Sequence, residues 1–182
     1  MNLKTQTFKL STESLIKEAT YVMSAVLMMA ALSRITIPLQ PIPITGQTLG
    51  VLLTGIMLGR KRAVAAMITY LTMGLIGFPV FANGAFGLIT LIGPTGGYLL
   101  GFVPAAFVMG WLGDKGWYKH ALSAISAILI GHAIVFSFGL IWLSNFTEWN
   151  AVLATGLIPF LPGAVVKTLI AFALIPVMKR NN

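Results

Sequence analysis

The sequence predicts an all-α membrane protein of six transmembrane helices with both termini cytoplasmic. Three observations carry that prediction. Of the 182 residues, 57% are hydrophobic and only 9% charged, against about 25% charged in a soluble domain, and the mean hydropathy is +0.91. So few charges leave too little polar surface to cover a water-facing globule. The apolar residues form long runs such as YVMSAVLMMAAL, which read as helices, whereas a membrane β-barrel would show short alternating segments. Finally, the basic residues occupy every second connection between those runs, as the positive-inside rule requires.

The segments follow in order. The first, 20–37, comes after Lys4, Lys9 and Lys17. The second, 46–59, is short against the ~17 residues that span a bilayer, so it is expected to tilt or to be extended by the loop before it. Arg60, Lys61 and Arg62 join it to the third, 63–78. The fourth, 94–112, opens on GPTGGYLLG, where Pro94 suits the first helical position. Lys115 and Lys119 precede the fifth, 120–143. The sixth, 151–178, carries Pro159 and Pro162 and is expected to begin irregularly. Lys179 and Arg180 follow it, whereas the connections 38–45, 79–93 and 144–150 hold no Lys or Arg. This divides the chain into a cytoplasmic N-terminal segment 1–19, a transmembrane domain 20–178 and a cytoplasmic tail 179–182. The AAL near residue 31 resembles a signal-peptide cleavage site. Cleavage would put the Arg60–Arg62 cluster and the tail on opposite sides, so an uncleaved first helix is expected.

Charge placement also explains the net charge of +8 without nucleic acid, since the cations are scattered over connections and not gathered on one face. Two cations remain, Arg34 and Lys167, both in apolar segments toward the outer side. A charge at membrane depth costs ~2.5–3.5 kcal/mol. Snorkelling to the interface is one explanation. It suits Arg34, close to Pro38, better than Lys167, which lies deeper in LPGAVVKTLIA. Glu13, Glu18 and Asp114 belong to the inner side, and Glu148 can reach one cation at most. Two cations with so few acids point to an anionic guest entering from outside.

The outer connections have the character of a pocket. In PLQPIPIT, three prolines hold the chain extended, and Thr45 suits a helix N-cap. Gln47 in the next turn is either a cap or a ligand contact. The loop PVFANGAFGLITLIG is uncharged, with Asn83 its strongest hydrogen-bonding side chain, and is expected to fold back over the bundle. Tyr98 fits a pocket wall or an interfacial belt. Gly46/Gly50, Gly55/Gly59 and Gly97/Gly101 form GxxxG pairs, read as close helix packing.

Several chemistries are missing. There is no cysteine and no GxxxxGK[ST] phosphate loop. The two histidines, His120 and His132, stand apart from the four acids, so no metal site and no acid–base pair is expected, and a lone helical histidine reads as a packing residue. No intramembrane acid offers a proton relay. The expectation is a protein that is not an enzyme and carries no cofactor.

The ordered set PIPITGQTLGVLLTG, FPVFANGAFG, GPTGGYLLGF and PGAVVK resembles the biotin transporter family BioY, the substrate-binding S components of energy-coupling factor (ECF) transporters. The resemblance implies an S-component-like helical bundle in the cell membrane that binds biotin near the outer face for uptake. It also implies partners, namely a coupling protein and two ATPase subunits, besides membrane lipid. Biotin's carboxylate suits a cation, its ureido group suits amide partners, and its ring and chain suit Phe81, Phe86, Tyr98 or Phe160. The expected binding residues are therefore Lys167, Arg34, Asn83, Gln47, Tyr98 and Phe81. The sequence departs from the family where PG-acid-x-x-Lys becomes PGAVVK, with Ala164 in place of the acid, and where Asn83 and Phe86 replace glycines. It also lacks an AxxxA docking patch in the first helix, which leaves action alone or self-association as the alternative to an ECF module. The rival readings are an S component for another small anionic vitamin, and a non-transport membrane protein holding lipid or a partner helix.

Overall fold

The computed structural model describes residues 12–179, with side chains to residue 175; Lys4, Lys9 and Arg180 lie outside the described residues. The chain is a bundle of α1 (Thr12–Leu32), α2 (Gln47–Leu75), α4 (Gly96–Asp114), α5 (Ala121–Leu143) and α7 (Leu161–Lys179), with two short helices, α3 (Leu88–Ile92) and α6 (Val152–Gly156). A two-residue ribbon, β1 (Thr36–Ile37) and β2 (Ile44–Thr45), joins α1 to α2. Among the described residues four stretches are long and apolar enough to cross a membrane: Thr12–Leu32, Gly96–Asp114, Ala121–Leu143 and Trp149–Ile175.

Element α2 is a hairpin of two helical limbs. Gly59 sits in it with φ 72° and ψ 168°, a conformation that glycine reaches without steric cost. A straight helix rising ~1.5 Å per residue would separate Gln47 from Tyr70 by about 34 Å. Instead the Gln47 carboxamide donates to the Tyr70 hydroxyl at 2.6 Å, so limbs 47–58 and 60–75 run back along each other. The Asp114 carboxylate accepts the Arg60 backbone N–H at 3.3 Å, satisfying a free donor at the start of the second limb.

Glycines set the helix spacing at Gly50, Gly55, Gly97 and Gly101, whereas Gly59 of the expected Gly55/Gly59 pair makes the reversal. At Gly97 a Cβ would meet the Phe138 carbonyl and the Trp142 side chain of α5, and at Gly101 it would press on Phe138 and Val135. Gly50 faces Met29 and Leu32 of α1, and Gly55 faces Ala106 and Met109 of α4. The most extensive interface is accordingly α2 against α4, followed by α4 against α5 and α1 against α2. Between these helices lies a core that includes Met29, Val51, Met67, Tyr70, Phe81, Phe102 and Ala106. The outward faces carry Leu129, Phe138, Ile141, Leu169 and other exposed apolar residues, the pattern of a bundle whose solvent is hydrocarbon.

Charged groups collect at one end. Arg62 holds Glu18 through Nε at 2.7 Å and a second nitrogen at 2.5 Å, and stacks on Tyr21 at 4.5 Å. Lys115 lies over Trp111, and Arg60 faces Asp114. The Arg62–Glu18 pair is partly solvated, so it adds little to stability.

Several boundaries differ from expectation. The first helix stops at Leu32, five residues early, because Ile35 and Thr36 leave the helix for β1, where the Ile35 carbonyl accepts the Gly46 N–H. Helix α4 starts at Gly96, after Thr95, two residues beyond Pro94. The Gly93 carbonyl is taken there by the Trp142 indole N–H at 2.9 Å, which holds Gly93 outside the helix. The helix-capping position before Gln47 is Gly46 and not Thr45, although the Thr45 hydroxyl still accepts the Gln47 N–H at 3.3 Å. The sixth segment begins irregularly, with α6, a 3-10 turn at Ile158–Phe160 and then α7.

Candidate functional site

At the end of the bundle away from the ionic cluster, the hairpin limb, the loops and three helices leave a cavity. It holds about 540 Å³ of space between atoms, including what is open at its mouth. From α2 and the ribbon come Gln47, Thr48, Thr45, Pro43 and Ile42, and from the 79–93 connection Phe81, Ala82 and Thr90. Helix α4 and its approach supply Thr95, Tyr98, Leu99 and Phe102; α5 supplies Val135 and Phe136; Phe160 and Lys167 close the α7 side.

Lys167 is the one cation among these lining residues. The ion pairs among the described residues are Arg60–Asp114 and Arg62–Glu18, and both acids belong to the other end. An ammonium set against an apolar wall favours an acceptor or anion that can reach it.

Gln47 is buried, and both ends of its amide are engaged. Its oxygen accepts from the Thr45 hydroxyl at 2.8 Å and its nitrogen donates to Tyr70, whose own hydroxyl donates to the Val80 carbonyl at 2.7 Å. This relay ties the ribbon, both hairpin limbs and the second loop into one wall. A carboxamide nitrogen has two hydrogens, so Gln47 keeps one for a guest. Phe81 is fully buried, edge-on to Tyr70 at 5.5 Å, with its ring over Gly74, where no Cβ would fit. Tyr98 donates its hydroxyl to the Gly156 carbonyl at 2.7 Å, packs on Gly139, and stacks with Phe160 at 6.0 Å. It presents a ring to the cavity and a hydroxyl already committed.

Lys167, Gln47, Tyr98 and Phe81 are thus brought together, and Arg34 and Asn83 are not among the residues that line the cavity. Arg34 donates to the Pro79 carbonyl at 2.5 Å and lies over Gly84. Asn83 is exposed, with φ 54° inside the turn Ala82–Gly84, a left-handed conformation that asparagine tolerates better than most residues. Phe86 is also exposed. Arg34 and Asn83 hold the loop that carries Phe81. Accordingly, Arg34→Ala is expected to speed amide exchange in residues 79–85 while lowering ligand affinity less than loss of Lys167 does. Exchange mass spectrometry with parallel binding titrations checks this.

Sequence reading missed Thr48, Thr90, Thr95, Phe102, Val135 and Phe136 as lining residues. One signal was present: Phe102 lies four residues after Tyr98, on the same helix face. Val135 and Phe136 sit in a segment apolar on every side, which marks no face.

Comparison with known proteins agrees with this architecture. A sequence model of the BioY family matches residues 3–182. The chain is 35% identical over 159 residues to the biotin transporter BioY2 of Lactococcus lactis, covering 84% of this chain and 87% of that protein. It is 36% identical over 142 residues to the biotin transporter BioY of Thermotoga maritima, covering 75% and 80%. A crystal structure of the S-component for biotin from an ECF-type ABC transporter superposes with a TM-score of 0.80 at 25% identity, covering 94% of this chain and 95% of that one. These relatives are named as transporters and not as enzymes. A cavity headed by an unpaired lysine, a bundle of apolar helices and a family match over nearly the whole length lead to one assignment: the chain is a membrane protein that belongs to the BioY family.

Proposed function

We propose that this chain takes up biotin across the cell membrane as a six-span S component with cytoplasmic termini, binding the vitamin in the cavity that Lys167 enters. The ionic end of the bundle faces the cytoplasm on this reading, and the cavity mouth faces outward. Residues 1–19 and 179–182 flank the transmembrane domain on the cytoplasmic side. Lys167 holds a biotin oxygen, of the carboxylate or of the ureido group. Phe81, Tyr98, Phe102 and Phe160 cover the ring and chain, and the spare N–H of Gln47 meets a second polar atom. Arg34 and Asn83 act through the loop. The observation that carries the reading is Lys167 as the one cation lining the chamber, in a chain whose relatives are named biotin transporters. Partners are a coupling protein and two ATPase subunits, as the ECF origin of the structural relative supports; self-association is the alternative.

The test is titration of the purified, reconstituted chain with biotin, followed by competition with other anionic vitamins and uptake by cells expressing the chain with and without an ECF module. Saturable biotin binding that other vitamins do not displace is expected. Displacement by another vitamin would favour an S component for that compound. Absence of any saturable vitamin uptake would favour a protein that holds lipid or a partner helix.

A further inference from the structure

His132 lies one turn before Phe136 on α5 and is only 5% exposed. Its Nδ1 is 3.1 Å from the Ile128 carbonyl oxygen. A carbonyl can only accept, so Nδ1 carries the hydrogen, and in the neutral ring Nε2 is a bare acceptor. That Nε2 is buried and has no hydrogen-bond partner, an arrangement that native structures rarely leave unexplained. The ring stacks on Phe136 at 6.1 Å, and Phe136 meets Phe160 edge-on at 6.1 Å.

Phe136 has two sides. One lines the cavity with Lys167 and Phe160. The other lines an apolar recess between α5 and α7, shared with His132, Ala133, Ala164 and Thr168. Ala164 brings only a methyl group to that recess, and Thr168 donates its hydroxyl hydrogen back to the Ala164 carbonyl at 2.8 Å. In the cavity itself Lys167 only donates, while the Thr90 and Thr95 hydroxyls, whose hydrogens go to the Phe86 and Thr90 carbonyls, are left only to accept.

We propose that Phe136 is a movable partition and that, with its ring turned aside, His132 Nε2 accepts an N–H of the ligand's cyclic urea while Lys167 donates to the urea oxygen. This deepens the biotin reading above and rests on it. A urea sets its C=O beside an N–H, which matches an amine and a bare ring nitrogen offered from facing helices. A carboxylate in the same place would turn negative oxygens toward the Nε2 lone pair, so the acid end points to the mouth.

The chain has only two histidines, His120 and His132, so 15N-histidine labelling gives two imidazoles, assigned with His120→Gln. At saturating biotin, with binding measured on the same sample, the His132 Nε2 resonance is expected to move upfield. His132→Leu is expected to lose at least tenfold in biotin affinity without a lower melting temperature of the ligand-free protein, because leucine leaves no unmet acceptor. An unmoved resonance in the biotin-saturated chain overturns the inference and leaves the biotin reading standing, as does parental affinity in a folded His132→Leu. If biotin does not bind at all, both fall. If the leucine variant fails to fold, the resonance of the unmutated chain decides.

Discussion

Lys167→Ala lowers biotin affinity by about ten- to a hundredfold. A hydrogen bond to a charged donor contributes roughly 1.5–3 kcal/mol, and 1.4 kcal/mol is tenfold. No second cation lines the cavity to stand in for the amine. The same substitution is expected to leave the ligand-free protein as stable or more so, because it removes a cation held against an apolar wall. Lys167→Met keeps the length of the side chain without its charge and separates loss of the amine from loss of packing. Calorimetric titration of the three proteins reads the effect. If Lys167→Met binds biotin as the parent does, the amine does not touch the ligand.

Tyr70→Phe destabilises the bundle by about 2–4 kcal/mol. It deletes one hydroxyl that serves two partners, the Gln47 carboxamide at 2.6 Å and the Val80 carbonyl at 2.7 Å. All three groups are buried, and each partner left unmet costs roughly 1–3 kcal/mol. The aromatic ring stays, so its packing on Phe81 at 5.5 Å is kept and the effect belongs to the hydroxyl. Unfolding in mixed micelles measures the loss, and amide exchange localises it to residues 78–85. Biotin affinity falls too, because Phe81 is wall as well as wedge. Unchanged exchange in that loop would show that the relay does not hold it.

Much of this was legible because charges in a membrane chain are few and each must be accounted for. Arg60–Arg62 marked the reversal that the structure places at Gly59, and Lys167 marked the cavity. Arg34 was harder, because a tertiary hydrogen bond from Gly46 to Ile35 helps to end the first helix, and no local propensity announces that. With the helix ending at Leu32, Arg34 faces a loop carbonyl. Asn83 invited a ligand role as the polar residue of a greasy loop, and in the structure it sits at positive φ in the turn Ala82–Gly84. Phe136 was invisible for a different reason: in a segment apolar all round, the periodicity that separates inside from outside in water carries no contrast.

The reversal at Gly59 has a consequence for biogenesis. Limb 47–58 is about 18 Å long at ~1.5 Å per residue, well short of a ~30 Å hydrocarbon layer. On the proposed six-span reading its ribbon and its sister limb complete the crossing, so the translocon has to accept both halves as one unit. A charge placed anywhere in the first half would then keep its sister out of the bilayer as well.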